Sequence, residues 1–554
     1  MHKVRILLVK APICSFREDE NEANFATRNA YSFQPSYALA CISAFLLKYL
    51  TLDFNLKVID FNEFIGNATE DDLIENFKSH IENVMSSQRL DILLVSAQYM
   101  FNQPWVSFIV NLSKKYNPES KVIVGGGFST IFPQKAISYQ DVDFAVIGEG
   151  EYTAVHIINE IYGIKDPHFQ RQFPFDGYIK KVDGGYHLEV KQSYVKDLTC
   201  LPTPDWSWMN FRKYSETGVH SYLPIMTTRG CPNNCTYCST RLYWGRGFRY
   251  RKEEDVVAEI YGSYEKHEIK HFHVIDDNPA FNNTWFLNFC DLLNKLPIKL
   301  SITFSNFSIK TINDKILKAL RQIGFNSPLS IAIETGSSEM QKMINKRLNL
   351  DSVNKTVKLI RDEGFALHIC WMIGFPGETL DQINETIQLA RQLKSESVQV
   401  YPVFPFPGTQ LYDMAKENKL INFDVNDFES MRYQVPGKIL SDEWDGTILS
   451  EISYDANIEM NFLNSPLLES DDGCKRLKVR VETLTKRLTG HVVAHIVLGY
   501  LDRNMSTSKT KTDYHYIKAK KYLEEADSQF AKYLSWNSKP IMDYLQWLNN
   551  INKN

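Results

Sequence analysis

The chain has 554 residues, 44% of them hydrophobic, and a formal net charge of −4. That length exceeds one core and implies about two to four domains, while the absence of any long like-charge block excludes a polybasic nucleic-acid surface. No apolar run approaches the ~18 residues of a membrane span, and Val4 to Val9 is only strand-length, so neither a span nor a secretory signal is expected. The nine cysteines, at 14, 41, 200, 231, 235, 238, 290, 370 and 474, contain a single close-spaced group. This is no disulfide framework, and reactive thiolates require a reducing compartment, so the expectation is a cytoplasmic, oxygen-sensitive enzyme.

The N-terminal segment alternates short apolar runs with helical stretches. Val4–Val9, Leu56–Ile59, Asp91–Ser96, Lys121–Val124 and Val142–Ile147 read as strands, separated by helices such as Tyr37–Tyr49, Asp71–Ser86 and Trp105–Lys115. Such a pattern predicts a doubly wound parallel sheet, which binds ligands at the carboxyl ends of its strands. Gly125-Gly-Gly127 follows one strand end, where missing side chains allow close approach to the backbone. No Walker loop and no G-x-G-x-x-G opening a helix occurs, so neither a nucleotide triphosphate nor a dinucleotide is indicated.

After a helix over Tyr152–Tyr162, Gly177–Val190 reads as a β-hairpin turning at Asp183-Gly184. Leu201-Pro-Thr-Pro-Asp-Trp206 then reads as an extended connector. From Leu223 the strand–helix alternation resumes for about six units, suggesting an incomplete parallel barrel with its chemistry at the strands' carboxyl ends. Its first strand, Leu223–Arg229, delivers Cys231-Pro-Asn-Asn-Cys235-Thr-Tyr-Cys238. Structural zinc usually takes four ligands, often from paired C-x2-C units, and no second pair exists here. Three thiolates on a tight loop suit a cubane iron–sulfur cluster with one iron left open.

The later strands end in turns that carry polar or glycine residues. They are His271–Asp277, Phe304-Ser-Asn306, Leu329–Glu334 with Thr335-Gly-Ser-Ser338, Ala366–Ile373 with Gly374-Phe-Pro-Gly-Glu378, and Ser397–Val403 with Phe404–Tyr412. From Ser450 onward the chain is helix-like, with a polar break at Met505–Asp513. His491 and His495 share a helix face, either as a metal pair or as satisfied packing residues; the glutamate of H-E-x-x-H is missing, since Val492 stands there.

Together these features resemble the cobalamin-dependent radical S-adenosylmethionine (SAM) enzymes. Pro35–Leu46 matches the family's first helix, Val58-Ile-Asp60 its second strand end, and Gly125–Thr130 and Asp143–Glu151 its glycine turn and fifth-strand motif. The resemblance implies that Ser96, Gln98, Gly125, Gly126, Gly127, Gly148 and Glu149 line the nucleotide tail or corrin edge of cobalamin. The D-x-H-x-x-G motif is absent from the loop after the first strand. This implies cobalt without a histidine below and leaves the lower face unassigned.

In the barrel, the resemblance assigns Cys231, Cys235 and Cys238 to a 4Fe–4S cluster whose open iron chelates SAM, with Tyr237 matching the aromatic before the third cysteine. Asp276 and Asp277 stand where the family contacts the SAM amino group, or they form a helix cap with a solvated neighbour. Glu334, Thr335 and Ser337 correspond to groups that bond ribose or carboxylate, and Gly374 to the turn that reaches adenine. Asn306 and Val403 complete the implied SAM site. Arg249 and Arg251 fall in a basic string that touches SAM or substrate, or is merely solvated. Cys14 and Cys370 are taken as packing residues.

The implied architecture is α/β: a Rossmann-like cobalamin-binding domain over 1–165, a hairpin and linker over 166–215, a partial radical SAM barrel over 216–435, and a helical cap over 436–554. The implied activity is methyl transfer from methylcobalamin to an unactivated carbon of a small metabolite or peptide, after hydrogen abstraction by a 5′-deoxyadenosyl radical, in a setting such as natural-product biosynthesis. A non-methylating ring contraction, cyclisation or rearrangement uses the same binding motifs. Either implies a one-electron reductant such as flavodoxin or ferredoxin, and no nucleic acid or membrane partner.

Overall fold

A computed structural model describes residues 3–12, 35–64, 73–99, 102–173, 177–190, 194–211, 222–425, 427, 431, 437–505, 509–525 and 530–551. Cys14 and the loop after the first strand lie outside these residues. The chain divides into two compact units: Met1–Asn326 with Phe406–Asp413 and Phe423–Arg432, and Ser327–Pro405 with Met414–Asn422 and Tyr433–Asn554.

The first unit begins with strands β1 (Val4–Lys10), β2 (Phe54–Asp60), β3 (Ile92–Ser96), β4 (Lys121–Gly125), β5 (Phe144–Val146), β6 (Gly177–Val182) and β7 (Gly185–Val190). They form one sheet in the order β2-β1-β3-β4-β5-β6-β7. The pairs among β1 to β5 are parallel, whereas β6 joins β5 and β7 joins β6 antiparallel. Because successive strand residues face opposite sides, Leu7 and Val9 enter one core with Phe77 and Trp105, while Ile6 and Leu8 enter another with Phe45 and Val155. A sheet covered on both faces needs strands apolar on both faces, which is why these segments read as unbroken apolar runs. The hairpin expected to belong to a linker instead extends this sheet. The topological switch lies between β1 and β3, whose connections leave in opposite directions.

The same unit continues with β8 (Leu223–Ile225), β9 (Thr228–Arg229), β10 (Arg249–Tyr250), β11 (His271–Val274) and β12 (Ser301–Phe304). A parallel sheet forms in the order β12-β11-β8, while β9 and β10 make a short antiparallel ribbon. Helices Glu253–His267, Asn283–Asn294 and Asp314–Gln322 connect and cover these strands.

The second unit holds β13 (Leu329–Glu334), β14 (Leu367–Ile373) and β15 (Ser397–Pro402), again parallel and in sequence order. The strand–helix repeat of an open parallel barrel is thus present as two three-stranded sheets. Helix Gly446–Ile458 continues into a π-helical turn, Glu459–Leu463, and covers the outer edge of β15. There the Asn457 amide pairs with both Val400 N (3.0 Å) and Val400 O (2.7 Å), and Asn461 repeats the pattern on Val398 (2.9 and 2.7 Å). Two side-chain amides four residues apart therefore substitute for a neighbouring strand and close the edge. Helices Asp471–Arg487, Val492–Asn504, Lys509–Glu525 and Lys539–Ile551 pack around Val497, Leu501, Tyr516 and Tyr544. The break expected through Asp513 is shorter than anticipated, since Lys509 already begins a helix.

Candidate functional site

A cavity of about 770 Å³ opens in the first unit at the carboxyl ends of β1, β3, β4 and β5. Ser96, Gln98, Gly125, Gly126, Gly127, Gly148 and Glu149 all lie on its wall. The opposite wall comes from the neighbourhood of the cysteine loop, with Met226, Ser239, Tyr243 and Trp244, and from Phe406. Gly126 has φ +96°, and a Cβ there would meet Ala97 O at 2.4 Å; one on Gly127 would meet Gln98 O at 2.2 Å and the Tyr243 hydroxyl at 3.1 Å. Only glycine lets the β4 turn tuck beneath the β3 loop, so these two residues shape the cradle by chain packing as well as by openness. The cavity falls within the size of cofactor sites, sits at the topological switch, and offers glycine backbone, a serine hydroxyl and an amide. Among the described lining residues there is no histidine. These features fit a corrinoid.

Glu149 lines the cavity, yet its carboxylate is committed elsewhere. Its Oε1 lies 3.2 Å from Arg229 Nη1 and 2.7 Å from Arg249 Nη2, and Oε2 accepts from Val195 N at 3.1 Å. Burial pushes the carboxyl up, but the two guanidiniums outweigh it and hold it below the usual range. Arg249 and Arg251 are thus neither solvated nor free for SAM, because Arg251 pairs with buried Glu259 at 2.5 Å.

The cysteine loop leaves β9 through Gly230, whose φ is +88° and whose Cβ would strike Gly247 O at 2.2 Å. Cys231, Cys235 and Cys238 are half-buried free thiols, with Cys238 N donating to Cys235 O at 3.3 Å. Burial raises the Cys231 thiol to about 11, and the charges of Cys238, Asp277 and Cys235 add to this. Among the described residues, no three His, Cys, Asp or Glu groups are gathered closely enough to hold a single metal ion. The donor set suits a cluster, in which each thiolate reaches a different iron. Tyr237 is half-buried within the loop. Leu411 N donates to Thr236 O at 2.8 Å and Gly408 abuts Leu242, so the string ending at Tyr412 props the loop.

Asp276 and Asp277 part company. Asp276 is buried and accepts from Thr227 N (2.8 Å), the Thr227 hydroxyl and the Thr228 hydroxyl (2.8 Å), bracing β8 to β11. Asp277 accepts at 3.0 Å from the hydroxyl of Thr240, two residues after the last cysteine of the loop. Asn306 is half-buried just after β12.

In the second unit, Glu334 sits at a β-bulge with φ +74° and pairs with Lys346 at 2.8 Å. The Thr335 hydroxyl meets Thr386 Oγ1 at 3.1 Å and accepts from Ser337 N at 3.1 Å, so it ties its own turn together. Ser337 is buried at the start of helix Ser338–Met343. Gly374 has φ +85°, and a Cβ would meet Leu449 at 2.6 Å. Its N and Phe375 N both donate to Glu378 Oε2, at 2.6 and 2.9 Å. Buried Val403 donates its N to Ile373 O at 2.8 Å. His491 caps helix Val492–Asn504 by accepting from Ala494 N, and His495 bonds Thr489 O (2.8 Å) and His515 (3.1 Å). These histidines are packing and capping groups. Cys370 contacts His368 Nε2 at 3.4 Å.

The profile of the radical SAM superfamily matches residues 225–390, and that of the B12 binding domain matches residues 57–158. The cytidylyl-2-hydroxyethylphosphonate methyltransferase of Streptomyces wedmorensis is 23% identical over 82% of this chain and 90% of its own. The anaerobic magnesium-protoporphyrin IX monomethyl ester cyclase of Rubrivivax gelatinosus is 23% identical over 71% of this chain and 68% of its own. Among solved structures, the cobalamin-dependent SAM radical enzyme OxsB, with aqua-cobalamin and SAM bound, superposes with a TM-score of 0.63 at 15% identity, covering 99% of this chain and 84% of that one. No helix among the described residues is long and apolar enough to cross a membrane. One chain thus carries a segment matching the B12 binding domain and a segment matching the radical SAM superfamily, and it has the fold of a cobalamin-dependent radical SAM enzyme.

Proposed function

We propose that the protein is a methyltransferase acting on an unactivated carbon of a small metabolite or peptide. One observation carries the reading: the cavity at the sheet's carboxyl ends is walled on its far side by Ser239, Tyr243 and Trp244, in the short stretch that follows Cys238. A corrin held there lies beside the loop that carries the cluster thiolates, as a hand-off of a methyl group requires. The methyltransferase relative matching most of both chains supports the same reading.

When bound, the cluster, SAM and cobalamin supply one-electron sulfonium cleavage and a cobalt-carried methyl group. The chain's residues then have distinct tasks. Cys231, Cys235 and Cys238 hold the cluster, and Asp277 receives the SAM ammonium. By the family resemblance, Glu334, Thr335, Ser337, Gly374 and Val403 correspond to turns that take the rest of SAM, and Asn306 to a further SAM contact. Gly125, Gly126, Gly127, Gly148, Ser96 and Gln98 cradle the corrinoid tail and edge, and Tyr237 fills the loop. The cobalamin domain spans 1–165, the core 216–435 and a helical cap 436–554. Reducing equivalents come from a one-electron carrier such as flavodoxin or ferredoxin.

The cyclase relative favours a second reading, a rearrangement without methyl transfer. The reduced holoenzyme, incubated with methyl-labelled SAM, separates the two. Label in the bound cobalamin with matching S-adenosylhomocysteine supports methylation. Release of 5′-deoxyadenosine with no labelled cobalamin and no S-adenosylhomocysteine supports rearrangement.

A further inference from the structure

The loop that carries the cysteines is closed at its base by the β9–β10 ribbon, in which Arg229 stands directly opposite Arg249. Like charges facing each other across a ribbon repel, and both are well buried, their side chains 3% and 9% exposed. What neutralises them is not in the radical SAM segment. It is Glu149, in the turn between Gly148 and Gly150 of the cobalamin-binding sheet, whose Oε1 lies 3.2 Å from Arg229 and 2.7 Å from Arg249.

The surroundings make this bridge specific. Arg229 also pairs with Glu151, two residues on from Glu149 in the first turn of helix Gly150–Ile161, and its guanidinium lies 5.1 Å from the Trp244 ring centre. Arg249 donates to Val195 O at 2.5 Å and to Trp244 O at 3.3 Å, and lies 5.3 Å from the Tyr194 ring centre. Tyr194 packs so closely on Gly245 that a Cβ there would sit 2.3 Å from its ring. Arg229 lies two residues before Cys231, and Glu149, Glu151 and Trp244 all line the cavity assigned to cobalamin. The turn that borders one cofactor's site therefore supplies the counter-charge that closes the loop holding the other.

We propose that Glu149 is a positioning residue that couples the two cofactor sites: an ordered Gly148–Gly150 turn clamps the Arg229–Arg249 clasp, so that cobalamin binding stabilises the iron–sulfur cluster and the cluster tightens cobalamin. The proposal rests on the cofactor assignment above. Linkage makes the effect reciprocal, with each cofactor changing the other's retention. Removing Glu149 leaves two buried guanidiniums face to face, with Glu151 the one remaining carboxylate paired to them among the described residues.

The test follows iron release from the anaerobically reconstituted protein to a ferrous chelator, with and without hydroxocobalamin, and cobalamin affinity with and without the cluster. Wild-type protein should lose iron about fivefold or more slowly when cobalamin is bound, and should bind cobalamin correspondingly tighter when the cluster is present. Glu149→Gln should lose iron quickly at every cobalamin concentration and bind the corrinoid with an affinity that no longer depends on the cluster. Glu149→Gln combined with Arg249→Gln, which removes the facing charge, should recover slow release without recovering the response to cobalamin. This double variant also distinguishes the clasp from a general folding defect. Equal release rates for wild-type protein with cobalamin bound and absent would overturn the coupling, as would a Glu149→Gln protein that still responds. A wild-type protein that binds no cobalamin would instead overturn the cofactor assignment.

Discussion

The Thr240 hydroxyl donates to the Asp277 carboxylate at 3.0 Å, fixing an anion beside the cysteine loop two residues beyond Cys238. Its neighbour Asp276 is spent on Thr227 and Thr228. The two adjacent carboxylates therefore do different work, one tied to Thr240 just after the cysteine loop and one bracing strands. Asp277→Asn should weaken SAM binding about tenfold or more, equivalent to about 1.4 kcal/mol, with little change in melting temperature. Asp276→Asn should do the reverse, lowering thermal stability because a buried carboxylate that accepts a backbone amide and two hydroxyls is degraded. Isothermal titration with SAM and thermal melts of both variants separate the roles.

Of the nine cysteines, only Cys231, Cys235 and Cys238 share the loop. Replacing any one of them with alanine should abolish stable cluster incorporation, reducing iron from about four per chain to a small residue, while cobalamin remains bound. Cys290→Ala and Cys370→Ala should keep the full iron complement. Iron and cobalt analysis of the purified variants checks this.

Asn457 and Asn461 hold the outer edge of β15 through paired bonds to Val400 and Val398. Alanine at either position leaves one backbone donor and one acceptor of the strand without that partner, which should cost about 1–3 kcal/mol. The double variant should expose a strand edge and favour aggregation. Urea unfolding and light scattering report the two effects.

Burial raises the Glu378 carboxyl to about 7, against the lowering effect of its bonds from Phe375 N and Gly374 N. Its folded pKa lies above its unfolded one, so its contribution to stability is full below the unfolded value and is lost as pH rises toward about 7. Between about pH 4.5 and 7, this residue should tilt stability downward by at most about 1.4 kcal/mol per pH unit. Glu378→Gln should remove that tilt, so urea melts across the range will show a flatter stability–pH profile for the variant and a difference from wild type that changes with pH.

Much of this was legible because strands buried on both faces leave unbroken apolar runs, and because the cysteine spacing and strand-end glycines are local signals. Helix Tyr37–Tyr49 and strand Leu329–Glu334 fall where the apolar pattern places them. The Glu149–Arg229–Arg249 bridge was not legible, since its partners lie far apart in sequence and no spacing encodes a buried charge bridge. Arg229 immediately before Gly230-Cys231 was the available clue. Asn457 and Asn461 carried a fainter one, two amides four residues apart in a helical segment. The hairpin at Gly177–Val190 was recognisable as a hairpin, but its pairing with β5 depends on tertiary context.

The central claim is that one chain holds both a three-cysteine cluster and a corrinoid. Its most direct test is anaerobic reconstitution with iron, sulfide and hydroxocobalamin, followed by metal analysis and a visible spectrum. The account predicts about four irons and one cobalamin per chain, retained through gel filtration. Four irons with no retained cobalamin would contradict it and leave the 770 Å³ cavity to some other ligand.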